Sequence, residues 1–211
     1  MQEPDLFERR YGSRDSQLQQ LREALVVRVF GPYGGTCSDI LKEATSTLRD
    51  EGYNVKLCIE AHEISHLKPM TEIEEGTPEY NFEASLECIR QADVGVFVFM
   101  KSKRRRFLNR LLKATSKRNA LPQDMNSSVV LELSKWTSQS SRSDDCFVIY
   151  ENNKSHPIGS LIPGAVTSQD LYSWEIETTH RQSAVEAIVN VIRGQCRWWI
   201  DQFEPQLQTR V

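Results

Sequence analysis

Two kinds of hydrophobic pattern take turns along this chain: short unbroken apolar runs, and longer stretches with apolar residues at helical spacing. Leu25, Val26, Val27, Val29 and Phe30 form the first run, Val94, Val96, Phe97, Val98, Phe99 and Met100 the second, and Cys146, Phe147, Val148, Ile149 and Tyr150 the third. Unbroken runs of this length mark strands covered on both faces, as in a central parallel sheet. Between them Ile40, Leu41, Ala44 and Leu48 repeat at helical spacing, with Ser38 as the expected cap, Asp39 in the first turn and Gly52 as the stop. The same reading predicts a short leading helix over residues 16–24, a second strand over 53–59, and a helix over 81–91 with Phe82, Ser85, Leu86 and Ile89 inward. A helix over 126–137, a strand over 171–176 and a long final helix over 180–203 complete the order. The stretch from the second strand to about residue 80, with Pro69, Gly76 and Pro78, is too long for a bare connection and is expected to serve a site or a lid.

That alternation predicts the α/β class: a Rossmann-like (flavodoxin-like) three-layer sandwich with a mostly parallel sheet of about five strands and a ligand crevice beyond the carboxyl ends of the strands. Residues 1–23 are expected to be an N-terminal extension with a short helix, 24–204 a single domain carrying a basic helical insert at 101–120, and 205–211 a tail.

Composition narrows the function classes. The 211 residues are 26% charged and 39% hydrophobic with a net charge of -3, an ordinary globular balance that gives no bulk attraction to nucleic acid. No apolar run approaches the roughly 18 residues that cross a bilayer, and the polar, acidic start is unlike a signal peptide. A cytoplasmic protein with no membrane partner is the expectation. Five cysteines, Cys37, Cys58, Cys88, Cys146 and Cys196, stand singly without C-x-x-C spacing, as reduced structural thiols do. The insert is the exception to the even charge: Lys101, Lys103, Arg104, Arg105, Arg106, Arg110, Lys113, Lys117 and Arg118 stand with no acid among them, and Phe107, Leu108, Leu111 and Leu112 give its second half an apolar stripe. Such a helix suits a phosphate-rich ligand, a nucleic acid, an acidic partner or a membrane surface, and the plainer reading is a solvated lid packing its leucines on the domain.

Two constellations carry chemistry. The first strand ends in Gly31-Pro32-Tyr33-Gly34-Gly35 before a helix start. Glycine tolerates positive φ and lets a ligand approach the backbone, and the open helix N-terminus favours an anion. After the insert, Asn126 is a good cap for a helix that contains Ser128 and Glu132. A carboxylate there, opening on the crevice, can be held over a sugar ring to stabilise an oxocarbenium-like centre or attack it. The plainer reading of Glu132 is a glutamate on a helix surface.

In these parts the chain resembles the nucleoside 2-deoxyribosyltransferase-like group and the structurally related Toll/interleukin-1-receptor (TIR) family, and it is similar to uncharacterised prokaryotic domains with a Gly-Pro-Tyr loop. The resemblance spans roughly residues 25–150: Gly31-Pro32-Tyr33 after the first strand, Ala92-Asp93 leading into the central strand, and Asn126 with Glu132 for a D/N-x-G-x-x-x-E motif. It implies a nucleotide- or nucleoside-binding protein that cleaves or transfers an N-glycosidic bond. Glu132 would be the catalytic carboxylate, Asn126 a sugar or base contact, Gly31, Pro32, Tyr33, Gly34 and Gly35 a ligand cradle, and Asp93 and Ser128 further ligand contacts. No cofactor is implied, NAD or another nucleotide being substrate or ligand, and related domains often complete their sites across subunits of a homo-oligomer. Ser128 stands where the family has glycine, and Asn126 where the transferases have aspartate. The second change removes a carboxyl that could protonate a base, which leaves a non-catalytic nucleotide sensor as an alternative.

A rival signal is His62-Glu63-Ile64-Ser65-His66, which fits the H-E-x-x-H of zinc peptidases, with His62 and His66 as ligands and Glu83 or Glu87 available as a third. It follows directly on a strand and is bounded by Pro69, where the zinc motif needs a solid helix. No G-x-S-x-G elbow and no G-x-x-x-x-G-K-[ST] loop is present.

Overall fold

The strands are short, all but the last are largely buried, and every pairing between them is parallel. β1 (Val27–Phe30), β2 (Val55–Leu57), β3 (Val94–Phe99), β4 (Cys146–Glu151) and β5 (Tyr172–Ile176) form one sheet in the order β2-β1-β3-β4-β5. This computed structural model describes residues 14–33, 36–61, 78–100, 127–138, 145–151, 171–177 and 180–208. Among them six helices flank the sheet: α1 (Arg14–Ala24), α2 (Thr36–Asp50), α3 (Cys58–Ala61), α4 (Pro78–Gln91), α5 (Ser127–Thr137) and α6 (Arg181–Gln208).

Side chains that alternate along each strand divide the core into two layers. Val27 and Val29 of β1, Val94, Val96 and Val98 of β3, and Phe147 and Ile149 of β4 face α1, α2 and α6, where Leu21, Leu41, Leu48, Ile188 and Ile192 meet them. Phe30, Phe97, Phe99, Cys146 and Val148 face the other way, against Cys88 and Ile89 of α4 and Val129 and Trp136 of α5. Phe30 and Phe97 stack with ring centroids 4.8 Å apart, and Trp136 stands edge-on to both. The expected three-layer α/β sandwich is therefore the observed architecture, with all five strands parallel.

Several local expectations shift. Thr36 rather than Ser38 is near the start of α2, so Ser38 lies within the first turn instead of capping it. α2 ends as anticipated at Gly52, whose φ of 86° lets its N–H reach Arg49 O at 2.9 Å while Tyr53 N–H reaches Leu48 O at 3.0 Å. The second strand stops at Leu57, and Cys58 begins a single helical turn, α3. α4 begins three residues before the expected 81, at Pro78, a residue pre-set for the first turn of a helix. At the amino side, Leu21 of α1 is part of the core, so the leading helix packs into the domain rather than extending from it. α6 continues through Gln208, past the expected end at 203.

Candidate functional site

Strand order fixes where a site can lie. In a sheet ordered β2-β1-β3-β4-β5 the connections leave β1 and β3 in opposite directions, and the gap beyond their carboxyl ends is the natural crevice. Residues 31–33 follow β1 into that gap. Tyr33 packs against both core layers, so it covers the edge where they meet. Its hydroxyl donates to Val29 O at 3.0 Å.

Gly31 has a different role from the one its loop suggests. Its φ is not in the left-handed region, where Gly52 is the glycine found among the described residues. A Cβ at Gly31 would instead lie 2.5 Å from Leu41 Cδ1, so the missing side chain makes room for α2 to pack close to β1. Gly34 and Gly35, the remainder of the expected cradle, lie outside the described residues, as do Asn126, His62, Glu63, His66 and the basic insert.

Glu132 reaches the same edge from α5. Val129, Glu132 and Trp136 recur at helical spacing and all are buried, which makes the glutamate the polar member of an otherwise apolar stripe facing the sheet. The surface-glutamate reading is thereby set aside: Glu132 is 7% exposed. Ser85 Oγ of α4 donates to Glu132 Oε1 at 2.8 Å, while Oε2 is buried without a partner among the described residues. Burial pushes the carboxyl up to about 7, with the Ser85 hydrogen bond opposing the rise. Tyr33 is raised well above the usual phenol range, chiefly by burial, with Cys58 and Glu132 adding to it. The carboxyl and the Gly-Pro-Tyr turn thus share one electrostatic environment.

Behind Ser85 runs a seam of buried polar groups that the sequence reading did not assemble. Cys58 Sγ lies 3.5 Å from Ser85 Oγ, and Cys88 Sγ donates to Cys58 O at 3.6 Å. All five cysteines are buried thiols outside any disulfide, as expected. Arg28, on the α4 side of β1, is 6% exposed; its Nη1 donates to Val27 O at 3.1 Å and its Nε has no partner. Burial lowers the Arg28 guanidinium from its ordinary value, against the attraction of Cys88, Cys58 and Asp93. Cys88 is lowered by the Cys58 side chain, with burial opposing and Arg28 assisting. A signal for part of this was present: a charge inside the unbroken run around Val27 and Val29 must be buried.

Asp93 departs from its expected place. It precedes β3, and its Oδ2 accepts from Val26 N at 2.9 Å while its own N–H donates to Val26 O at 2.8 Å. These bonds stitch the amino ends of β1 and β3, roughly 16 Å along the strands from the turn at Gly31 by the rise of an extended chain. Asp93 is a structural clamp at the edge opposite the crevice, and its assignment as a ligand contact is corrected. Ser128 lies one turn before Glu132 on α5 and is exposed. No group of three or more His, Cys, Asp or Glu among the described residues is placed to hold a metal ion.

Comparison with family models and with curated proteins finds no match for this chain. Among the described residues no helix is long and apolar enough to cross a membrane.

Proposed function

We propose that the protein binds a nucleotide or nucleoside at the carboxyl edge of β1 and β3 and cleaves or transfers its N-glycosidic bond, with Glu132 as the catalytic carboxylate. One observation supports this reading above the others: a buried carboxyl with one oxygen held and the other unpartnered, beside the Tyr33 turn at the switch point of a parallel sheet. An orphaned buried oxygen costs free energy, and retaining one is understandable where a ligand completes it.

The step follows from the electronics of the sugar. The C1′–N bond breaks with its electron pair leaving on the base, and positive charge develops at C1′ and the ring oxygen. The Glu132 carboxylate faces that charge, shielding it or closing an ester to it; water then gives hydrolysis, a second base gives transfer. A base that is already cationic, such as the pyridinium of NAD, leaves neutral without being protonated. Ser128, on the exposed face one turn away, is a candidate contact to the sugar or its phosphate, together with residues 31–33.

Incubation with NAD and a panel of nucleosides, with chromatography for released base, tests the proposal. Release is expected from the wild-type protein and is expected to fall by at least about a thousandfold in Glu132→Gln, on the scale of losing a covalent or electrostatic catalytic group. Nucleotide-dependent stabilisation without released base would favour the sensor instead.

A further inference from the structure

Two oxygens of one carboxylate are treated differently by the fold, and the difference assigns a role to a residue outside the motif. Ser85 lies in the middle of α4, on the face that also carries Cys88, and its hydroxyl meets Glu132 of α5 at 2.8 Å. Glu132 is buried on the same face of α5 as Val129 and Trp136. We infer that Ser85 is the positioning residue for Glu132: its hydroxyl holds Oε1 and turns Oε2 toward the substrate as the reacting oxygen. The inference rests on the catalytic reading of Glu132 given above.

The direction of the hydrogen bond follows from proton inventory. A serine hydroxyl has one proton to donate and lone pairs to accept with. An ionised carboxylate can only accept, so the Ser85 proton is committed to Oε1 whenever Glu132 is ready to meet a developing cation. Cys58 Sγ, 3.5 Å from the same hydroxyl, then stands on its acceptor side, and a thiol proton given to Ser85 Oγ strengthens the donation onward. When Glu132 is protonated the pattern reverses: the carboxyl can donate to Ser85, whose proton is released toward Cys58. Ser85 therefore favours the ionised, oriented carboxylate and makes no contact with substrate.

Three variants test this: Ser85→Ala, which suits a helix and should fold, Ser85→Thr, which keeps the hydroxyl, and Glu132→Gln to assign the Glu132 signal. In Ser85→Ala the acid limb of the kcat/KM profile should move up by about one pH unit, as expected for losing a hydrogen bond to a charged group. Activity should fall about tenfold at pH 6.5, recover at pH 9, and leave KM little changed, while Ser85→Thr should retain the wild-type limb. A loss equal at every pH would overturn the assignment. Carbon-13 carboxyl titration of Glu132 in the ligand-free protein gives a readout that needs no turnover: it should move upward in Ser85→Ala, and an unmoved titration would overturn the inference even if Glu132→Gln is inactive. Absence of base release from every substrate, with the titration shifted as expected, would instead place the failure in the proposed reaction.

Discussion

A carboxyl that titrates near neutrality inside a protein couples chemistry to stability with opposite sign. Glu132 is raised from an ordinary 4.5 to about 7 by burial, so between those values the folded protein holds a proton that the unfolded chain has released. Stability contributed by this group is thus greatest below about pH 4.5, declines as pH rises, and is lost above about pH 7; the whole effect is of order 3 kcal/mol. Glu132→Gln, which carries no charge to bury, should match the wild type near pH 5 and exceed it progressively toward pH 8, read by chemical denaturation across the range. The proposed reaction runs the other way: it needs the ionised form, so kcat/KM should rise through an acid limb near pH 7. Asp93 belongs to a different class. Asp93→Ala should lower stability by about 1–3 kcal/mol through the unsatisfied Val26 N–H, with ligand binding at the far edge unchanged by titration calorimetry. From the sequence, Glu132 could be singled out by its place after a cap, yet its burial became visible only once Val129 and Trp136 showed which face of α5 looks inward. Ser85, Cys58, Cys88 and Arg28 reach one seam from three elements, and no local pattern joins them. Asp93 misled because an acid beside a central strand looks alike at either end of it.

Elements were the most legible level, for a reason visible in β3. Its run of Val94, Gly95, Val96, Phe97, Val98 and Phe99 is buried throughout, so the hydrophobic pattern was nearly the whole determinant. Gly95 is the packing detail inside that run: a Cβ there would lie 2.9 Å from Trp136 Cζ3, and a rigid indole cannot move aside. Gly95→Val should therefore cost roughly 1–3 kcal/mol by overpacking, lowering the denaturation midpoint without changing its slope. Boundaries were less legible, because termini depend on single residues that serve two roles. Pro78 punctuates loops and equally opens helices, and the β2 pattern runs on into Cys58 although the chain has already turned helical. α6 outran its expected end because the helix runs on through Pro205 to Gln208, where neither a glycine nor the proline stops it.

At the scale of the molecule, the layers divide labour. The face carrying α1, α2 and α6 is an apolar packing layer, with ion pairs Arg193–Glu51 and Arg181–Glu43 tying α6 to α2 and its end. Both pairs are partly exposed, so either should be worth less than about 1 kcal/mol. The opposite face holds the same kind of core interrupted by Arg28, Ser85 and Glu132, polar groups that a purely structural layer would replace with aliphatic ones. That asymmetry is the reason for proposing a site on the α4–α5 side of the sheet, at the carboxyl edge where Tyr33 bridges the layers. The most direct measurement is release of free base from NAD and a nucleoside panel by wild-type protein and by Glu132→Gln, each confirmed folded by circular dichroism. Turnover is expected in the first and its near-abolition in the second; equal turnover in both would remove Glu132 from the chemistry.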